Sequence, residues 1–158
     1  MMRSFDQVLA VLAIVTNSVV YGTDFFCAIV LRSALANVDD SALTRVMGEV
    51  HRYGDRRMPV PGAIGIVAAL LSTVVAGIDG RPAAAIFSGV ATLALAVWLV
   101  VYGRVSAPVN KQLTAAATEG TTLGNARALQ ARWDGVINLR VALQLVALLA
   151  LCCTLIAD

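Results

Sequence analysis

Residues 61–104 read PGAIGIVAALLSTVVAGI, then DGR, then PAAAIFSGVATLALAVWLVVYGR. An α-helix needs about 20 mostly apolar residues to cross the hydrocarbon of a bilayer. The stretch holds two such runs, 61–78 and 82–104, separated by only three residues. Asp79-Gly80-Arg81 is turn chemistry, and Pro82 suits the first position of a helix because its missing N–H has no helical partner there. Pro59 and Pro61 lead into the first of the two runs. The reading is a hairpin of two membrane helices.

Two more runs of this length flank the hairpin, at 5–31 and 133–156. The first is too long for a signal peptide: Asp6 sits beside Arg3 in the would-be basic region, and no small-residue cleavage site ends the run. Of the 158 residues, 59% are hydrophobic and 14% charged. A soluble domain carries about 25% charged residues, so the whole chain shares the bias of its centre. The expected fold is all-α, an integral membrane four-helix bundle forming one domain over residues 1–158. The net charge of +2 and the scattering of cations through loops give no basis for a nucleic-acid partner. The partner expected is the lipid bilayer, and the oligomeric state stays open.

The connections are unequal. Residues 32–60 and 105–132 are long and polar. Within them Leu43, Val46, Met47 and Val50 recur at helical spacing, as do Leu123, Ala126 and Gln130 with Leu129 and Trp133 beside them. Short amphipathic helices are expected there, lying on the membrane face or extending the first and last spans. These loops and their border hold Arg32, Arg45, Arg52, Arg56, Arg57, Arg104, Lys111, Arg127 and Arg132, against Arg3 and Arg81 on the other side. By the positive-inside rule the long loops are cytoplasmic and both ends of the chain lie opposite, in a membrane of the bacterial inner (plasma) type. Gly62, Gly65, Ala69, Gly77, Gly89 and Ala96 are candidates for close helix contacts.

Polar side chains within spans are costly, and ionisable ones default to a functional reading. Asn17, Tyr21 and Asp24 follow at i, i+4, i+7 on one face of the first span, while Thr16 and Ser18 can satisfy themselves on the helix backbone. Trp133, Ile137, Arg140 and Gln144 share a face of the fourth, with Asn138 beside it. Asp24 lies seven residues before Leu31 and Arg140 seven after Trp133, so at 1.5 Å per residue both sit roughly 10 Å below the same interface. They are expected to pair, directly or through one intermediary. Against this stand a purely structural ion pair and an Arg140 that snorkels to the surface. His51, the one histidine, lies in the run leading into the second span, and Tyr102 and Asn110 stand at the same end of the third. Arg52, Arg56 and Arg57 read as topology determinants or lipid-phosphate contacts. Cys27, Cys152 and Cys153 form no CxxC and no His/Cys metal spacing, so no metal site is expected. Nucleotide-binding, zinc-protease and nucleophile-elbow motifs are absent from the sequence.

Two stretches resemble a known family. Pro108-Val109-Asn110-Lys111-Gln112-Leu113, following the third span, and Arg132-Trp133-Asp134-Gly135-Val136-Ile137-Asn138-Leu139-Arg140, opening the fourth, are similar to motifs of the anthrone oxygenase-like family of small four-span membrane proteins. One departure stands out. The family commonly carries an Asn three residues before the Arg, where this chain has Ile137, with Asn138 one position and about 100° further round the helix. The resemblance implies oxidation of an anthrone-type polycyclic phenol by O2 without a dedicated cofactor. In that chemistry Asp24 or His51 is the base. Arg140 with Asn110 steadies an enolate or peroxide oxygen. Trp133 and Tyr102 stack on the substrate, an apolar aromatic small molecule, and Asn17, Tyr21, Asn138 and Gln144 complete its surroundings. The competing readings are a non-enzymatic binding or scaffold protein, and a haem b protein with His51 as axial ligand.

Overall fold

The computed structural model of the chain describes residues 2–157, with side chains from Phe5 onward; the Arg3 side chain counted above lies outside the described residues. Among the described residues the chain is about 90% helix without a strand. The elements are α1 (Met2–Phe26), a π-helical turn (Cys27–Leu31), α2 (Arg32–Leu35), α3 (Asp40–Arg57), α4 (Pro59–Ile78), α5 (Pro82–Val101), a second π-helical turn (Tyr102–Ser106), α6 (Ala107–Glu119) and α7 (Ala126–Ile156). Four continuous helical stretches are long and apolar enough to cross a membrane: Phe5–Leu35, Pro59–Ile78, Pro82–Glu119 and Ala126–Ile156.

The ends of these helices follow from local chemistry. Asp39 caps α3, its carboxylate accepting from the Ala42 N–H at 2.7 Å, and Asp40 at the start with Arg56 and Arg57 in the last turn complement the helix dipole. Pro59 opens α4, with only Met58 between it and the end of α3. Gly80 and Gly120 adopt φ of +66° and +69°. At each, the following N–H reaches back five residues, Arg81 to the Ala76 carbonyl and Thr121 to the Ala116 carbonyl, both at 3.0 Å. Glycine takes that left-handed conformation without steric cost.

The loop expectations are realised unequally. Leu43 and Met47 are buried on α3, but Val46 and Val50 are exposed. The periodic residues around Leu129 form the first turns of α7, which thereby extends the fourth span. The third span also runs on, through the π-helical turn into α6, a helix for which the sequence reading gave no signal. The second π-helical turn has a local cause. Pro108 supplies no N–H, and its ring crowds the carbonyl four residues back; the chain just before it widens, and the Ala107 N–H bonds to the Tyr102 carbonyl, five residues back.

Contacts divide the chain into two units: Met1–Gly22, Val60–Leu99 and Ala142–Asp158 form the first, Thr23–Pro59 and Val100–Val141 the second. The first unit has a core of small residues, Ala13, Ala68, Ala69, Ala91, Ala94, Ala147 and Ala150 with Leu95 and Leu151, whereas Ile78, Ile86 and Leu93 are exposed. Small inside and large outside inverts the usual distribution in water. A Cβ on Gly65 would lie 3.1 Å from Thr16 Oγ1, a close approach; Gly62 and Gly77 have nothing within 4 Å and Ala96 is exposed, so these three do not mediate contacts. This unit also holds a buried ion pair unforeseen in the sequence. Arg81 Nη1 meets Asp6 Oδ2 at 2.6 Å. Ser72 donates to Asp6 Oδ1 and Arg81 Nη2 to the Ala157 carbonyl at 3.0 Å.

The second unit packs Leu43 and Met47 of α3 and Val109 and Leu113 of α6 with Leu129, Trp133 and Ile137 of α7. Helices α3 and α6 touch at Gly48, where a Cβ would collide with the Leu113 carbonyl oxygen and the Ala117 side chain. Thr114 Oγ1 donates to the Gly48 carbonyl at 3.2 Å.

Candidate functional site

Arg140 is the centre of the polar cluster in the second unit. It is 5% exposed, on the face of α7 that also buries Trp133 and Ile137. Its Nη2 donates to Asp24 Oδ1 at 2.6 Å and its Nη1 to Ser106 Oγ at 2.8 Å. The guanidinium carbon stands 5.3 Å from the centroid of the Trp133 ring and 5.5 Å from that of Tyr102, within cation–π range of both. The side chain therefore does not snorkel; it is held by a carboxylate, a hydroxyl and two aromatic rings.

The two π-helical turns abut this cluster. Asp24 lies three residues before Cys27, where the first begins, and Tyr102 and Ser106 are the first and last residues of the second. Bonding to the fifth residue back turns the chain less per residue than an α-helix does, so positions four apart stack more nearly above one another. Tyr102 and Ser106 thereby reach the same guanidinium. Such turns are rare and concentrate at functional sites.

A second layer comes from α3 and α6. His51 is 4% exposed, its ring 5.6 Å from that of Trp133 and tilted by 49°. Burial pulls the imidazole down from 6.5 to about 4; Asp55 opposes this and Arg140 adds to it, so His51 is neutral at physiological pH. Asp55, one turn beyond His51, is a residue the sequence reading did not single out. Its Oδ1 accepts from Tyr102 Oη at 2.7 Å and from Asn110 Nδ2 at 2.8 Å. Among the described residues the buried atoms without a hydrogen-bond partner include His51 Nε2, Asn110 Oδ1 and Trp133 Nε1.

No family model matches the chain, and the comparisons with curated proteins and with solved structures match nothing either. The family resemblance therefore rests on the two motifs alone.

Of the residues expected to form one site, Asp24, His51, Tyr102, Asn110, Trp133 and Arg140 gather in the second unit. Asn138 does not join them. It is exposed, one position off the buried Ile137, as the rotation between adjacent helical residues requires. Asn17, Tyr21 and Gln144 belong to the first unit, where Asn17 Nδ2 donates to the Gln144 backbone carbonyl at 3.3 Å. Thr16 and Ser18 bond their own helix, to the carbonyls of Leu12 and Ile14 at 2.7 Å. Ser106 and Asp55 are the additions. Both lie four residues from a residue already singled out, Asn110 and His51, and that spacing is the signal that could have found them. Among the described residues no group of three or more potential metal ligands occurs.

Proposed function

We propose that the chain is an integral membrane protein with its long loops on the cytoplasmic side, and that the Arg140 cluster binds a flat phenolic molecule through its oxygen and promotes its oxidation by O2. The membrane reading is supported by four apolar helices of sufficient length and by alanines inside with isoleucines and leucines outside. Asp79→Cys in a cysteine-free background is then labelled from outside the cell by an impermeant thiol reagent, and Arg45→Cys is not.

The observation that carries the site reading is the set of unpartnered buried atoms beside a buried cation. Trp133 Nε1 is a donor, Asn110 Oδ1 an acceptor, and His51 Nε2 either. A buried polar group left unsatisfied costs about 1–3 kcal/mol, and a phenol or enol offers both a donor and an acceptor. Tyr102, partly exposed, offers a ring against which an aromatic guest packs, while Trp133 is almost wholly buried.

In the reaction an activated C–H bond of the substrate breaks and its proton passes to a base, leaving an enolate whose oxygen Arg140 and Trp133 Nε1 stabilise. The electron-rich carbon reduces O2 and forms a C–O bond. The peroxide takes the proton back, the second C–H proton leaves, and the O–O bond breaks to give a carbonyl and water. One O2 converts CH2 to C=O plus H2O with no external reductant. His51 is a weak base at about 4, but its protonated form is a correspondingly strong acid toward the peroxide.

A second reading has an observation of its own. Asp24 already neutralises Arg140, which suits a pair that only fixes packing. The test is purified protein with anthrone and O2, following quinone and oxygen together. Quinone formed one-to-one with O2, faster than with heat-denatured protein and slowed in His51→Gln, supports the oxidation. Equal rates with native and denatured protein reject it in favour of the packing role. A Soret band lost in His51→Ala would instead assign His51 to a haem.

A further inference from the structure

Beside the Arg140 cluster, and sharing Asp55 with it, a groove of about 450 Å³ runs between α3 and α6, lined by Arg52, Asp55 and Arg56 from one helix and Lys111, Thr114 and Thr118 from the other. These positions fall at i, i+3, i+4 and at i, i+3, i+7, so each set shares one helix face. The small residues Thr114 and Ala115 leave space where longer side chains would close it.

Most of the lining is already engaged. Arg52 pairs with Glu49 at 2.7 Å and bonds Tyr53 Oη at 3.2 Å. Thr114 and Thr118 give their hydroxyl hydrogens to the carbonyls of Gly48 and Thr114. Arg56 and Lys111, one from each helix, have no ion-pair partner among the described residues. Asp55 accepts both of its bonds on Oδ1, so Oδ2 retains acceptor capacity.

We propose that this groove binds a phosphodiester whose head carries a hydroxyl or primary ammonium group. Arg56 and Lys111 clamp the phosphate, and Asp55 Oδ2 accepts from the head. With the long loops cytoplasmic, a reading on which this source rests, the ligand is an anionic glycerol-headed phospholipid of the inner leaflet. A soluble glycerol phosphate ester shares the chemistry. Arg57 lies outside the lining, its guanidinium 5.2 Å from the Tyr53 ring, and is the natural control.

The experiment measures lipid adducts of the purified full chain by native mass spectrometry, with phosphatidylglycerol and with phosphatidylcholine, and titrates soluble glycerophosphoglycerol by calorimetry. A hydrogen bond from a charged group contributes about 1.5 kcal/mol or more, so losing both phosphate contacts in Arg56→Gln with Lys111→Gln weakens phosphatidylglycerol binding roughly a hundredfold. Arg57→Gln leaves it unchanged, and phosphatidylcholine, whose phosphate can be clamped but whose head offers Asp55 no donor, binds wild type more weakly than phosphatidylglycerol does. Soluble ester binding as tightly as lipid, and lost in the same double variant, assigns the groove to a soluble ligand. Failure of the chain to fractionate with membranes overturns the lipid source and the membrane reading together, while the calorimetric arm still judges the groove. Equal binding of both ligands by wild type and double variant overturns the groove itself.

Discussion

The Asp24 carboxylate and the Arg140 guanidinium meet at 2.6 Å, both almost wholly buried, across 116 residues of chain. Neither charge could be left there alone, because a lone ion away from water costs several kcal/mol. Ser106 and the rings of Tyr102 and Trp133 complete the enclosure.

Removing one partner is therefore worse than removing both. Asp24→Leu or Arg140→Met alone lowers stability by about 3–5 kcal/mol, and the double variant recovers much of the loss. Thermal unfolding of the three variants in one detergent measures the cycle. Additive losses would mean that the two side chains are not coupled.

Helices α3 and α6 depend on a missing side chain. Gly48→Ala drives a Cβ into the Leu113 carbonyl, backbone that cannot rotate away, and costs about 1–3 kcal/mol. Gly54→Ala, on the same helix with nothing within 4 Å, stabilises by about 0.5–1 kcal/mol through helix propensity. Unfolding curves that rank the two the other way would contradict this packing.

His51 makes stability depend on pH. Its folded value of about 4 lies below the unfolded 6.5, so between those values the unfolded chain binds more protons. Its contribution is then complete above pH 6.5 and falls as the pH drops toward 4, by about 3 kcal/mol in all. Carboxylates titrate in the same window, so the quantity to read is wild type minus His51→Gln. A difference that stays flat from pH 7 to 4 would show an imidazole that ionises freely.

The four long apolar helices were legible because length and apolarity state them, and the Asp24–Arg140 pair because both residues lie seven positions from the ends expected for their apolar runs. The same depth argument at the other ends would have joined Asp6, one residue into its span, to Arg81 in the turn; Asp6 was weighed only against a signal peptide and Arg81 only as a turn and loop cation. Asp55 was hidden within a run of charged residues, where only its position one turn beyond His51 distinguished it. The first π-helical turn has no proline after it, and its residues CAIVL read as ordinary helix. Asn138 was placed beside the right face, but one residue turns it outward.

Calorimetric titration of the purified protein with anthrone and with anthracene, which has a similar shape and no oxygen, tests the Arg140 cluster most directly. A hydrogen bond from a charged group contributes about 1.5–3 kcal/mol, so anthrone binds roughly 10- to 100-fold more tightly, and the preference disappears in the Asp24→Leu, Arg140→Met double variant. Equal affinities in wild type, or a preference that survives in the double variant, would contradict a site built to hold a phenolic oxygen.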